Sequence, residues 1–185
     1  MLFFDNPYYR SKRIYIHYIF FLGGGPVLYR CMGNKDAGEE QTDEGVALND
    51  EGLADLVSDS DTEVLLRLFA RHGLDCVDRL HGIFAFAIWD RATRRLHLAR
   101  DHLGVKPLYY AALTQGFLFA SELKTLTLCA DVARDLDPVA VAEHAGFIWS
   151  PGEATMLKSV RKLRPGSKMT VDGSELHIRR YYRTP

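Results

Sequence analysis

Ile14 to Leu22 is a run of nine apolar and aromatic residues broken only by His17, preceded by the basic stretch Arg10 to Arg13 and stopped by Gly23-Gly24-Gly25-Pro26. That length suits a strand and falls short of the ~20 residues that cross a bilayer. Between Asp36 and Glu63 lie eleven acidic residues and no Lys or Arg, without apolar periodicity, so residues 32 to 59 read as a solvated connector. The texture changes at Ser60-Asp61-Thr62-Glu63, a capping-box spacing followed by Val64, Leu65, Leu68 and Phe69 on one helical face; this predicts a helix ending near Gly73. A short amphipathic helix is expected around Asp75 to Leu80. Phe84 to Asp90 is a nearly continuous apolar run of strand length. Leu96 to Arg100, Leu108 to Ala112 and Phe117 to Ala120 read as further strands, joined through Arg91 to Arg94, Asp101 to Pro107 and Leu113 to Gly116 into an antiparallel meander. Asp137-Pro138 pairs an N-cap with proline at the first helical position and opens a helix through His144. Ser167 to Val171 and Ser174 to Tyr182 flank Asp172-Gly173 as a hairpin. No internal repeat stands out.

These elements describe an α+β chain, with antiparallel strands packed on a few helices and a buried sheet centred on Phe84 to Trp89. At 185 residues there is room for one domain, and 47% hydrophobic residues supply an ordinary core. A net charge of -1 offers no field toward nucleic acid or an anionic membrane, so small polar substrates are the default. Cys31, Cys76 and Cys129 are odd in number and widely spaced, which fits neither a disulfide framework nor a paired-ligand zinc site, and points to a reducing cytoplasm. No cleavage-site pattern follows the apolar run near the start, so neither a secretion signal nor a membrane segment is expected.

Four blocks carry a family resemblance: Ser60-Asp-Thr-Glu-Val-Leu-Leu66, Leu80-His-Gly-Ile-Phe-Ala-Phe-Ala-Ile-Trp-Asp90, Ala99-Arg-Asp-His-Leu-Gly-Val-Lys-Pro-Leu-Tyr-Tyr110 and Phe119-Ala-Ser-Glu-Leu-Lys124. In this order and spacing they resemble the class II glutamine amidotransferase domain of glutamine-hydrolysing asparagine synthetases. His144 to Phe147 through Pro151, Thr155 and Val160 to Gly166 resemble the segment that closes that domain. The resemblance implies an N-terminal-nucleophile-type fold, two antiparallel sheets sandwiched between helices, with the N-terminal strands missing or replaced. It divides the chain into residues 1–59, a divergent segment and acidic linker, and residues 60–185, a partial amidotransferase domain. The implied function is glutamine hydrolysis that supplies ammonia for ATP-dependent conversion of aspartate to asparagine. Glutamine would be the ancestral substrate and a synthetase domain or chain the partner. ATP and magnesium belong to that synthetase part, whose Ser-Gly-Gly-x-Asp loop does not occur in this sequence, so no cofactor is expected on these residues.

The resemblance also implies a cysteine after the initiator methionine, its free amine serving as base for its own thiol. Leu2-Phe3-Phe4 stands there, and neither the Asn-Gly pair of the oxyanion hole nor the Arg-Leu-x-Ile-x-Asp strand is found in residues 1–59. Cys31 would need processing after Arg30 and lacks the family's continuation, so no catalytic residue is assigned. Asp61 is the one functional residue that carries over, as ligand for the α-ammonium of glutamine; as a bare sequence feature it is a helix-start acid. Arg100-Asp101 and Gly104 to Pro107 read as a shaped loop rather than a phosphate grip, and Glu122 with Lys124 as an ion pair. Cys76 and Cys129 read as packing residues, and the histidines show no metal-ligand spacing. The expectation is a chain without glutaminase activity of its own. The alternatives are a non-catalytic docking module for a separate synthetase chain, or the amidotransferase of a related synthetase with another acceptor. A sheet edge uncovered by lost strands would make the domain weakly stable.

Overall fold

The computed structural model describes residues 14–18, 61–114 and 116–183, with the backbone alone for 14–18 and 61–63. The acidic connector and Cys31 lie outside the described residues. In chain order the elements are β1 (Ile14–Tyr18), α1 (Asp61–His72), a 3-10 helix (Gly73–Arg79), β2 (Ala85–Asp90), β3 (Arg95–Arg100), β4 (Tyr109–Leu113) and β5 (Gly116–Ala120). There follow α2 (Leu123–Leu126), α3 (Pro138–Phe147), β6 (Arg161–Lys162), β7 (Ser167–Asp172) and β8 (Glu175–Arg180). The strands form a five-stranded sheet ordered β1-β2-β3-β7-β8 and a three-stranded sheet ordered β5-β4-β6, all pairs antiparallel.

Strand alternation turns these two sheets into layers. Phe84, Phe86 and Ile88 pack with Val64, Leu65, Leu68 and Phe69 of α1, and each of these side chains is less than 9% exposed. The intervening Ala85 and Ala87 face the other way and join Leu98, Leu108, Tyr110, Leu163 and Met169 between the two sheets. Small alanines on that face give the large side chains of the second sheet room to interdigitate. Beyond the three-stranded sheet, Ala111 and Ala120 pack with Leu126 of α2 and with Val132, Leu157 and Val160. The order is therefore helix, sheet, sheet, helix with loop, the sandwich of two antiparallel sheets expected above. Fully burying a side chain such as Leu68 or Phe86 contributes about 1.5–3 kcal/mol, so the first interface is where most of α1's stability resides.

Three sequence expectations need correcting. The strands do not form one meander: β3 pairs with β7, and β4 with β5 and β6. The connection from Arg100 to Tyr109 is longer than the about 2–5 residues of a hairpin loop, and it carries the chain from one sheet to the other. The short helix expected around Asp75 to Leu80 is present as a 3-10 helix over Gly73–Arg79, entered through Gly73 at φ 60 and burying Cys76 and Val77. The hairpin turn sits one residue later than expected, because Asp172 pairs with Glu175 and the loop is Gly173-Ser174. Only Gly173, at φ 58, takes a positive φ there, the requirement of a type II′ turn. Finally, α3 runs three residues past His144 to Phe147. Its start follows expectation, with the Asp137 carboxylate accepting from the amides of Val139 and Ala140 at 3.0 and 3.2 Å.

His97 shows how the strand register sets a titration. Its ring lies 5.1 Å from Phe69 of α1, and its Nδ1 is 3.1 Å from Oγ1 of its cross-strand partner Thr170. Burial pulls the imidazole pKa below its ordinary value, and the nearby Asp90 carboxylate only partly opposes this. The folded state therefore binds fewer protons than the unfolded state as pH falls below about 6.5, so this contribution to stability is complete above that pH and declines below it. In His97→Gln the decline should be shallower, measured as the midpoint of urea unfolding between pH 7.5 and 5; parallel pH profiles for the two proteins would refute the assignment.

Candidate functional site

The crossing from β3 to β4 is built around one carboxylate. Asp101 is 1% exposed; its Oδ1 accepts from the amides of Leu103 and Val105 at 3.2 and 3.0 Å, and its Oδ2 from the amide of Lys106 at 3.0 Å. The Asp101 carbonyl accepts from Gly104 at 3.1 Å and from Gly166 at 2.7 Å, while its amide donates to Phe84 at 2.8 Å. Arg100 completes the knot from below. Its Nε, Nη1 and Nη2 donate to the carbonyls of Lys106, Leu163 and Gly104, each at 2.6 Å, and its own carbonyl accepts from the Tyr181 hydroxyl at 2.7 Å. Burial lowers the Arg100 pKa against the opposing charge of Asp101, and raises that of Tyr181 well above the usual phenol range. Gly104 adopts φ 68, and a Cβ there would stand 2.6 Å from Pro165 Cγ.

This arrangement answers what Arg100, Asp101 and Gly104 to Pro107 do. The amides of residues 103 to 106 point inward at Asp101, so the loop's anion-binding groups are already satisfied by the chain's own carboxylate. A nucleotide phosphate would find no amide turned toward it, and among the described residues no group of three or more His, Cys, Asp or Glu is placed to hold a metal ion. These residues do not fit ATP or its magnesium. The loop is structural.

The other sequence candidates are spread over separate layers. Asp61 is the first residue of α1, on the helical layer that covers the five-stranded sheet, where the positive end of the helix favours a carboxylate. Its side chain lies outside those described. Cys76 is 0% exposed within the α1 layer, and burial pushes its thiol up to about 12 despite the positive charge of Lys168. Cys129 sits half-buried on the far side of both sheets, so the two thiols neither pair nor share a site. Glu122 and Lys124 form the expected ion pair at 2.7 Å, an ionic contact rather than an aligned hydrogen bond, beside an open depression of about 510 Å³ that Pro107 and Tyr109 also line. His81 and His102 stack at 6.4 Å, and His102 also meets the edges of Tyr181 and Tyr182.

One charged group escaped the sequence reading. Lys168, with only 7% of its side chain exposed, reaches Asp75 at 2.6 Å and Asp78 at 3.8 Å, and this hydrogen bond and charge hold the Asp75 carboxyl below its usual range. The signal was present in the alternation of β7, where Met169 and Val171 take one face and leave Lys168 and Thr170 on the other, toward the α1 layer.

Asp101→Ala should strand three inward-facing amides and destabilise the domain by about 3–5 kcal/mol. Asp101→Asn, which keeps one acceptor oxygen, should cost less; chemical denaturation of both variants measures the order, and a wild-type midpoint for Asp101→Ala would refute the role of the knot. The Cys76 thiol should stay unalkylated by iodoacetamide at about pH 8.5 in the folded protein and react once the protein is denatured. Mass spectrometry of the Cys76 peptide reads this directly, and rapid native labelling would show the thiol to be a reactive one.

The sequence profile of the glutamine amidotransferase domain matches residues 47–182. Asparagine synthetase [glutamine-hydrolyzing] 3 of Bacillus subtilis is 40% identical over 124 residues, covering 66% of this chain and 20% of that protein. A putative asparagine synthetase [glutamine-hydrolyzing] 2 of Methanocaldococcus jannaschii is 35% identical over 127 residues, 66% of this chain and 24% of that protein. Among solved structures, the glutamine phosphoribosylpyrophosphate amidotransferase of B. subtilis aligns with a TM-score of 0.46 and 18% identity over 72% of this chain and 25% of that one. The chain spans about a fifth of the length of the curated relatives it matches. The match over residues 47–182 covers well over half of the sequence, and the chain belongs to the glutamine amidotransferase domain family.

Proposed function

We propose that this chain is the glutamine amidotransferase part of an asparagine synthase, in which it supplies the frame that receives glutamine and does not by itself hydrolyse it. The observation that carries the reading is the position of Asp61. It opens α1 within Ser60-Asp-Thr-Glu63, and α1 is fixed by Val64, Leu65, Leu68 and Phe69 against β2, the strand that holds the second family-like block. A carboxylate there offers the α-ammonium of glutamine a charge-assisted hydrogen bond. In the whole enzyme, water and glutamine give glutamate and ammonia, and the ammonia is consumed in the ATP-dependent amidation of aspartate on a synthetase domain or chain. ATP and magnesium act there and not on these residues.

The proposed lack of glutaminase activity in the isolated chain rests on its thiols. A nucleophilic cysteine has to ionise near neutral pH and stand open to an amide carbonyl. Cys76 is sealed in the core with its pKa raised to about 12, and Cys129 is packed on the opposite layer from Asp61. Ile14–Tyr18 supply β1 of the five-stranded sheet, and Cys31 has no assigned role.

Incubated with glutamine, the purified chain should release no glutamate above blank, and Cys31→Ala should change nothing. Glutamine should still shift NMR resonances of α1, and Asp61→Asn should weaken that binding about tenfold, the loss of one charge-assisted hydrogen bond. Glutamate release abolished by Cys31→Ala would overturn the inactive reading; binding insensitive to Asp61→Asn would overturn the role of Asp61.

A further inference from the structure

β8 closes one side of the five-stranded sheet, and among the described residues it pairs with β7 and with nothing beyond it. Its outer row of amides and carbonyls is a template for another strand. The register with β7 fixes its two faces. Glu175, His177 and Arg179 stand opposite Asp172, Thr170 and Lys168, on the side of the α1 layer, while Leu176 and Ile178 stand opposite Val171 and Met169, on the side between the sheets. Leu176 packs on that inner core, but Ile178 is 46% exposed, so the apolar row runs off the edge of the sheet uncovered.

A strand that pairs antiparallel with its own copy obeys a parity rule. The two-fold axis is perpendicular to the sheet and keeps each face on its own side, so the residues standing opposite one another are an even number of positions apart in the sequence. With the axis at Leu176, Glu175 meets His177 and Ile178 meets Ser174. With the axis at Ile178, Arg179 meets His177 and Leu176 meets Arg180, a cation and an apolar side chain each badly matched. The axis at His177 differs from both: Glu175 meets Arg179 and Leu176 meets Ile178, and by symmetry each pair forms twice. Opposite charges directly across a ladder stabilise it, as do packed apolar pairs, and like charges oppose it. Edge strands commonly repel others with charge. The charges of β8 instead run in an order that becomes its own complement when reversed.

We propose that β8 pairs with β8 of a second copy of this chain, antiparallel about an axis at His177, so that two five-stranded sheets become one continuous sheet. Charge complementarity selects the occupant. Within its own strand Glu175 has His177 at 3.2 Å, a partner that carries charge only when protonated, whereas Arg179 of the second copy supplies a permanent cation. The Leu176–Ile178 pairs carry the inner core across the axis and cover the apolar row left open at the edge. Both α1 layers then lie on one face of the joined sheet and both three-stranded sheets on the other. The contact is narrow, so the dimer is a weak one with a dissociation constant of about 10–100 μM. Glutamine binding plays no part in it, and it stands independently of the function proposed above.

Sedimentation equilibrium of the full chain over about 1–500 μM should show a monomer–dimer equilibrium. Glu175→Arg and Arg179→Glu should each weaken it at least about tenfold, because each sets like charges opposite one another twice. Mixed in equal amounts, the two variants should recover the dimer, since each supplies the charge the other has lost; recovery also shows that both are folded. Under oxidising conditions His177→Cys should join two copies through a disulfide at the axis, where opposed Cα atoms about 4.5–5.5 Å apart suit the bond. Arg179→Cys, whose counterpart across the ladder is Glu175, should not. A wild-type chain that stays monomeric over the whole range would overturn the inference. So would a dimer that neither charge reversal weakens, a mixture that fails to recover, or crosslinking through Arg179→Cys as complete as through His177→Cys.

Discussion

The domain depends on a buried carboxylate that substitutes for missing secondary structure. Where the chain leaves the five-stranded sheet it has no ladder partner, and an unpaired stretch between two sheets would leave several amides buried without acceptors. Asp101 resolves this by turning the loop around itself, so that its side chain and carbonyl together accept from residues 103, 104, 105, 106 and 166. Arg100 does the same for the carbonyls of Gly104, Lys106 and Leu163. The two adjacent residues carry opposite charges, so neither is buried as a lone ion. Through Leu163 and Gly166 the knot also ties down the strands that enter from the far end of the sequence, which fixes how the two sheets face each other.

That constraint explains which parts of the fold were legible beforehand. The apolar run of Phe84 to Ile88 and the stripe on α1 are local, so these elements could be read directly, while the two faces of β2 emerge only with the layers they meet. The pairing of β3 with β7 could not, because it is decided by a loop whose geometry depends on Gly166 and Leu163, more than sixty positions away from Arg100. A meander is the simpler inference from consecutive strands, and it fails where the connection is stabilised by side chains rather than by a tight turn. The same separation hid Lys168, whose partners Asp75 and Asp78 lie some ninety positions earlier on the 3-10 helix, which brings both carboxylates to one cation.

The sequence pattern singled out one candidate site residue and said nothing of its arrangement. Asp61 stood out because its block matched a known pattern, and the structure gives it a helix start on the α1 layer. Cys76 shows the opposite case: the sequence offered a thiol of unremarkable spacing, and burial decides its chemistry by raising the cost of the thiolate. Lys168 nearby works against that shift and loses to desolvation. Position within the layers, more than residue type, determines which groups are open to a substrate.

α3 completes this logic from the side of hydrophobicity. The Asp137-Pro138 start was enough to place a helix, since capping is a local interaction. Which face the helix buries is ordinarily read from its apolar stripe, and α3 has none; a pattern that is apolar on every side specifies a surrounding without saying where it comes from. Within the described residues the domain buries Ala140 alone, so the enclosure written into the sequence is not supplied by these layers. A core alternation such as that of β2 is satisfied inside the domain, with large and small residues meeting their complements across two interfaces. The sequence of α3 makes the same demand on its surroundings, and its end, with a β-branched residue held at positive φ, is braced from within the domain through Ser150 and Lys162.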